Sequence, residues 1–321
     1  MILSGNLPIL IVAYRRYDNI KLILEKCSTN GITNIYVSID GPKDELGRVD
    51  HDKIHQVIKD FSVNHRISIK VLGHRKNMGC AVNLIHACNW FFSENDYGAI
   101  LEDDCLPSNE FFSFIRDIYT IFSSAKNVLV VCGTQFAPNL SNDNSAFLSK
   151  YPLTWGWATT SQKWKEIFNY FLTSHVYFKL QSFKSAEFCF WNAAERRATE
   201  GYTDVWDSVL VSFFSKYGKL ALLPRNNLVV NVGNDAYATH TKFASDFLNM
   251  ESGIYRNNGL DFIHDPKVDS WLKNNFYKIS NRHIITTKIT FILDKLFRRK
   301  MFDYKLKERL QFQIEANSYK Y

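Results

Sequence analysis

Three consecutive carboxylates, Glu102, Asp103 and Asp104, directly follow the apolar run 99–101. Carboxylates this close raise one another's pKa and resist ionisation unless a cation neutralises them. Hard oxygen ligands suit Mg²⁺ or Mn²⁺, and either ion can keep open positions for the phosphate oxygens of a substrate. The triplet therefore predicts a divalent metal site. The alternative is a solvated acidic turn that caps the helix beginning near Asn109.

A second polar segment, with Arg75, Lys76, Asn77 and Gly79, follows the apolar run 67–72. The two basic side chains can approach a diphosphate, and the amide can contact a ribose or phosphate oxygen. Gly79 lets the backbone turn at the start of the next helix. The alternative is an ordinary exposed loop with a glycine where the helix starts.

Short apolar runs alternate with helical periods through the first half of the chain, which is typical of a largely parallel sheet covered by helices. The predicted strands are 8–14, 35–40, 67–72, 99–101 and 128–131. The predicted helices are one with Asp18 as its N-cap, then 52–61, 80–92 and 109–122. The sheet is expected to be about five strands wide. Ligands of open α/β sheets bind beyond the carboxyl ends of the strands, where both polar segments lie.

The order of several short motifs resembles that of GT-A nucleotide-sugar glycosyltransferases. In the first half these motifs are 8–14, 38–41, 77–79 and 100–104. The last resembles the Glu-Asp-Asp form of the DxD-type motif in the N-acetylglucosaminyltransferase I family and related bacterial enzymes. In the second half, segments 154–159, 206–207, 227–233 and 239–241 are similar to the acceptor half of bacterial surface-polysaccharide transferases. The resemblance covers residues 8–245. It implies an α/β, Rossmann-like GT-A fold, with a mostly parallel sheet flanked by helices and a C-terminal helical extension.

The resemblance places the nucleoside near the first two strands. Ala13, Tyr14 and Arg15 would surround it, and Asp40 would accept a hydrogen bond from its base. A uridine diphosphate sugar is the expected donor.

The resemblance also assigns the metal site. Asp104 would be the most direct ligand of Mn²⁺ or Mg²⁺, while Glu102 and Asp103 would hold the donor sugar or ribose and the water shell of the metal. His240 matches the late histidine of the family and would approach the metal or the diphosphate; the alternative for a lone histidine is a structural role.

Asp207 is the predicted general base, which takes the proton of the acceptor hydroxyl as that oxygen attacks the anomeric carbon. Asp204 is its rival, and Asp207 could instead be the N-cap of an apolar helix. Trp155 and Trp157 flank Gly156 and are the predicted platform for the apolar side of an acceptor sugar. The alternative for both rings is core packing.

The predicted function is metal-dependent, inverting sugar transfer to a glycan or lipid-linked glycan in bacterial surface-polysaccharide biosynthesis, including lipopolysaccharide or capsule. The expected organisation is a GT-A domain, 1–280, and a basic amphipathic helical tail, 281–321. The domain divides into a nucleotide-sugar half, 1–135, and an acceptor half, 136–280. The chain lacks the Gln-x-x-Arg-Trp motif of processive synthases and the Gly-x-Gly-x-Arg opening of sugar-phosphate nucleotidyltransferases. The competing hypothesis is a catalytically silent module with this fold that binds a nucleotide sugar or a carbohydrate.

The overall composition argues against several other classes of protein. A chain of 321 residues that is 46% hydrophobic should be globular, and a net charge of +7 without a nucleic-acid motif argues against nucleic acid. The early apolar run 8–13 is too short for a signal or a membrane span, and six cysteines without a CxxC pair favour reduced thiols. A cytoplasmic location is therefore expected. The tail mixes basic and apolar residues, which predicts either contact with anionic lipid at the inner face of the cell membrane or a helix packed on the body.

Overall fold

The chain folds as an α/β protein with a mostly parallel central sheet flanked by helices, which confirms the predicted fold class at that level. The computed structural model describes residues 7–138, 145–173, 185–233, 247, 250–257, 262–296 and 318–320. No helix within these ranges is both long and apolar enough to cross a bilayer.

The first half alternates strands and helices as predicted. Its elements are β1 (Ile9–Ala13), α1 (Tyr17–Thr29), β2 (Ile35–Ile39), α2 (Glu45–His65), β3 (Ile69–His74), α3 (Cys80–Glu94), β4 (Tyr97–Glu102), β5 (Cys105–Pro107), α4 (Asn109–Ser124) and β6 (Val128–Cys132). α2 begins earlier than expected because Asp44 caps it, with Oδ1 accepting the N–H of Gly47 at 2.6 Å. The prediction for Asp18 was wrong: it lies in the first turn of α1, and Arg16 occupies the N-cap.

The second half adds strands to the same sheet. Its elements are β7 (Ala146–Ser149), β8 (Trp157–Thr160), α5 (Ser161–Thr173), α6 (Ala186–Thr199), α7 (Asp207–Tyr217), β9 (Leu220–Pro224), β10 (Val229–Asn231), α8 (Pro266–Trp271), α9 (Arg282–Leu296) and β11 (Ser318–Lys320). A π-helical turn, Leu272–Phe276, follows α8. β10 pairs with β5 in a separate two-stranded ribbon.

The sheet is wider than predicted. Over the described part of the chain its order is β11-β3-β2-β1-β4-β8-β6-β9-β7. β8 is antiparallel to both β4 and β6, so β1, β2, β3, β4, β6 and β9 all run in one direction. The expectation of about five strands was wrong because strands from both halves of the chain enter one sheet. The register aligns Val12 with Glu102 and Ala13 with Ile39, so the ends of β1, β2 and β4 meet at one edge.

Helices cover both faces of the sheet. Side chains of β1 alternate, with Leu10 and Val12 in one buried cluster and Ile9, Ile11 and Ala13 in the other. The first cluster includes residues of α3, α5, α6 and α7, and the second includes residues of α1, α2 and α4. Burial on two faces explains why the strands read as continuous apolar runs rather than as alternating patterns.

Trp157 belongs to the core, which corrects its prediction as part of an acceptor platform. It is only 1% exposed, and its ring lies 5.3 Å from that of Trp206 and 6.1 Å from that of Trp164. The reason is topological: β8 lies between β4 and β6, so helices cover its side chains. The alternative of core packing is therefore the correct one for this residue.

Candidate active site

Asp103, at the end of β4, binds the loop after β1 through hydrogen bonds and an ion pair. Its Oδ2 accepts the backbone N–H of Tyr14 at 2.9 Å and of Arg15 at 3.2 Å, and its Oδ1 pairs with Nη1 of Arg16 at 2.8 Å. The side chain of Asn19 donates to the Asp103 carbonyl at 2.9 Å. A carboxylate buried this deeply needs such partners. Asp103 thus positions the strand-end loop, and its predicted contact with the donor stays a prediction.

Glu102 and Asp104 are the two carboxyl groups of the triplet whose pKa values are raised. Burial raises the pKa of Glu102 well above its usual value, and the charges of Asp104 and Asp207 raise it further. Burial and the charge of Asp103 likewise raise the pKa of Asp104. Arg16, whose Nη1 lies 3.5 Å from Asp104 Oδ2, opposes both shifts. One guanidinium does not balance three carboxylates, so ionisation of all three would be stabilised by an additional cation.

Asp207 lies within electrostatic range of this pair, as its effect on Glu102 indicates. It is exposed and is the first residue of α7, where its Oδ1 accepts the N–H of Ser208 at 2.6 Å. Trp206 occupies the N-cap position, so the alternative role of Asp207 as N-cap is wrong. An exposed carboxylate beside two acids of raised pKa has the chemistry of a general base for an incoming hydroxyl.

Asp204 has a structural role that the sequence did not reveal. Its carboxylate accepts the backbone N–H of Cys80 at 2.8 Å and of Ala81 at 3.3 Å, at the start of α3. The N-cap residue of that helix is Gly79, which has no side chain to accept those bonds. Asp204 therefore caps a helix 124 residues earlier in the chain. This role favours Asp207 over Asp204 as the base.

The start of α3 draws these acids together. Burial raises the pKa of the Cys80 thiol well above its usual value, and the charges of Glu102, Asp204, Asp207 and Asp104 add to that shift. Acids from the end of β4, from the segment after α6 and from the start of α7 therefore act on one point. The carboxylates of the predicted metal site and of the predicted base therefore lie within electrostatic range of one residue, while their roles stay predictions.

Asp40 holds the ends of β2 and β3 together. Its Oδ1 accepts the N–H of Gly41 at 2.8 Å and of Met78 at 2.7 Å, while its Oδ2 accepts from Asn77 Nδ2 at 2.8 Å and from the N–H of Gly79 at 3.1 Å. Burial raises its pKa to about 7, although the hydrogen bonds from the backbone N–H groups lower that pKa. With four protein donors already present, the predicted hydrogen bond from a base would have to share one of these oxygens.

The same two loops approach each other closely. A Cβ added to Gly41 would lie 2.6 Å from the backbone nitrogen of Lys76, so only glycine fits there. Gly79 has φ +84°, which confirms that the turn into α3 needs a glycine. The side chains of Arg75 and Lys76 are exposed beside this turn. Their predicted contact with a diphosphate is not tested by these contacts.

The two arginines after β1 divide their roles. Nε of Arg15 donates to Asp50 Oδ2 at 2.9 Å, and its Nη1 lies 3.8 Å from Asp44 Oδ1, so its guanidinium is engaged by α2. Arg16 instead contacts the acidic triplet. Arg15 was the predicted site residue, whereas Arg16 was not predicted to contact the acids. The available signal was a basic residue at the end of β1, the strand that pairs with the one carrying the triplet.

Trp155 is the remaining candidate for an acceptor platform. It is half-buried, and its ring packs edge-on against Phe136 with centroids 5.1 Å apart. Gly156 has φ +69°, and a Cβ there would lie 2.7 Å from Val229 Cγ2. The bend at this glycine is therefore required by both backbone conformation and space, while sugar binding at Trp155 stays a prediction.

A divalent metal near Asp104 stays a prediction. In the part of the chain that the structure describes, no group of three or more His, Cys, Asp or Glu residues could hold a metal ion. Mg²⁺ and similar ions commonly take one or two carboxylates and complete their shell with phosphate and water, which Asp104 and Glu102 can match. A Cβ added to Gly233 would lie 2.5 Å from Asp104 Oδ2. The backbone at Gly233 therefore packs directly against the Asp104 carboxylate, where a larger residue would not fit. His240 lies outside the described residues.

No protein-family model matches this chain, and no curated protein matches it. At the strand ends, the half-buried Glu102 and Asp104 have raised pKa values. The Arg16 guanidinium lies beside Asp104, and the exposed Asp207 is within electrostatic range of Glu102. This arrangement can bind a cation and can take a proton from a hydroxyl group.

Proposed function

We propose that the chain is a metal-dependent, inverting glycosyltransferase of the GT-A type. Its donor would be a nucleoside diphosphate sugar, with uridine as the expected base, and its acceptor a glycan or lipid-linked glycan of a bacterial surface polysaccharide built in the cytoplasm. The observation that supports this most is that Glu102 and Asp104 lie at the carboxyl end of β4, with Asp207 within electrostatic range of Glu102. Ligands of open α/β sheets bind beyond the carboxyl ends of the strands.

The acids with raised pKa values would hold the metal. Binding a cation lowers the electrostatic cost of ionising Glu102 and Asp104, so metal affinity should rise with pH as these groups lose their protons. When bound, the metal would stabilise the negative charge of the departing diphosphate. Asp103 and Arg16 would keep the end of β4 and the loop after β1 in place around it.

Asp207 would act on the acceptor. As the acceptor oxygen forms a bond to the anomeric carbon, the bond from that carbon to the diphosphate oxygen breaks, and the hydroxyl proton passes to the Asp207 carboxylate. The attack comes from the face opposite the leaving group, so the configuration at the anomeric carbon inverts. Trp155 would support the apolar side of the acceptor sugar.

The test is release of nucleoside diphosphate from a panel of nucleotide sugars, with and without Mn²⁺, combined with thermal unfolding of the same mixtures. A donor that binds the folded chain raises its melting temperature. D104N should reduce turnover by about 100-fold or more, as loss of a group that stabilises developing charge does. D207N should lose transfer but keep the metal-dependent thermal shift. D60N, on the exposed side of α2, is the matched control and should behave as the wild type.

The second candidate is a binding module without catalysis. It would show the metal-dependent thermal shift but release no nucleoside diphosphate with any donor, even when acceptor glycans are present. That result would refute the transferase proposal. The tight engagement of Asp40 and Asp103 by protein donors suits either candidate, whereas an exposed Asp207 beside the acidic pair favours catalysis.

A further inference from the structure

Helix α9 packs against the body through a face of mixed polarity, in which the half-buried Ile284 packs against the core. Thr287 is only 5% exposed, and the ring of His283 lies edge-on to Phe190 of α6 with centroids 4.9 Å apart. Contacts between α9 and α6 are extensive. The face that α9 turns toward the protein thus combines Thr287 and His283 with Ile284.

The opposite face of α9 exposes a stripe of three isoleucines. Ile285, Ile289 and Ile292 are 61%, 51% and 54% exposed. At about 100° per residue they fall within about 60° of arc, on the side of the helix opposite Thr287. The isoleucine stripe faces away from the core, while Ile284 packs toward it. A contiguous exposed apolar surface is typical of a binding surface.

Cations border the isoleucine stripe on both sides. Arg282 and Lys288 are exposed and lie about 60° from its centre, one on each side, by the same helical spacing. Segment 282–292 contains no Asp or Glu, and the sequence continues into Arg298, Arg299 and Lys300. An apolar stripe framed by cations complements a surface that is apolar beneath and anionic at its boundary.

We propose that this face of α9 docks onto an anionic lipid bilayer surface. The isoleucine stripe enters the boundary between headgroups and acyl chains, and Arg282 and Lys288 lie among the anionic headgroups. A second copy of the chain is a less suitable partner for this face. A two-fold contact through α9 would bring Arg282 and Lys288 of one copy close to the same cations of the other, and these like charges repel. The docking does not depend on the proposed transferase activity.

The test is co-sedimentation of the full chain with vesicles of phosphatidylcholine and phosphatidylglycerol in equal parts, compared with phosphatidylcholine alone. We expect binding to the anionic vesicles that weakens as salt rises. Each of the three isoleucines would become half-buried in the bilayer on docking, so the loss of each should weaken binding roughly fivefold. The triple variant I285S/I289S/I292S should therefore bind the vesicles about 100-fold more weakly than the wild type. These positions are exposed, so the variant should keep the wild-type melting temperature.

The matched control removes three other exposed apolar side chains. Leu46, Val63 and Ile254 are 72%, 70% and 62% exposed, and L46S/V63S/I254S should bind vesicles as the wild type does. Equal weakening of both triple variants, or equal binding to the uncharged vesicles, would overturn the proposal. So would a dimer, measured by light scattering without lipid, that only the α9 variant dissociates.

Discussion

Replacing Asp204 by alanine should destabilise the fold, because this carboxylate caps α3 from a distance. The variant D204A leaves the N–H groups of Cys80 and Ala81 without their acceptor, and Gly79 cannot replace it. Loss of a side-chain cap costs about 1 kcal/mol, and loss of a negative charge from a helix N-terminus costs up to about 1 kcal/mol more. Burial of the helix start adds to the cost of the unmet donors. The expected loss in the free energy of unfolding is about 2 to 3 kcal/mol.

Urea unfolding followed by tryptophan fluorescence, without metal or donor, measures this loss. D204A should move the midpoint to lower urea with an unchanged slope, and should lower the melting temperature by about 5 °C. D204N keeps one acceptor oxygen and should lose about half as much stability. D207N is the comparison: Asp207 is exposed, so its substitution should cost less than about 1 kcal/mol.

The two carboxylates should therefore separate into two phenotypes. D204A should lose stability, with activity reduced in proportion to the unfolded fraction, whereas D207N should lose transfer while remaining folded. If D204A unfolds at the same urea concentration as the wild type but no longer transfers sugar, the capping argument is wrong. Asp204 would then be the better candidate for the base.

Three further predictions concern the scaffold around the site. G41A should lower the free energy of unfolding by more than about 3 kcal/mol or prevent folding, because its Cβ would overlap the main chain of Lys76. G218A should lower it by only about 1 kcal/mol, because Gly218 has φ +63° but nothing within 4 Å of an added Cβ. Equal urea midpoints for the two variants would contradict this prediction. Burial lowers the pKa of His74 to about 3 from 6.5, so the contribution of His74 to stability should be complete above pH 6.5 and fall as pH drops below it, by up to about 2 kcal/mol at pH 5. Asp40, whose pKa is raised to about 7, has the opposite effect over this range, so the His74 contribution is measured as the difference between the wild type and H74F in the change of urea midpoint from about pH 7.5 to pH 5. W157A should lower the free energy of unfolding, measured by calorimetry, by about 4 kcal/mol, because the Trp157 ring is buried. If W157A instead keeps its stability and loses only affinity for the acceptor, the conclusion that Trp157 is a core residue is wrong.

Local sequence patterns predicted the order of elements in the first half of the chain. Apolar runs and helical periods are properties of neighbouring residues, so β1, α3 and β6 lie within a few residues of their expected positions. The same patterns placed the acidic triplet and the Gly79 turn at strand ends. Because parallel strands end at one edge, this was enough to predict that both belong to one site.

Contacts between distant segments decided the rest. The entry of β8 between β4 and β6 buried Trp157, and the return of the chain before α7 brought Asp204 to the amides of α3. The isoleucine stripe of α9 likewise became an exposed surface only when the helix docked through Thr287. Sequence periodicity records which residues share a face of an element. It does not record which element that face will meet, because strand pairing and helix docking depend on contacts that form only when the whole chain packs.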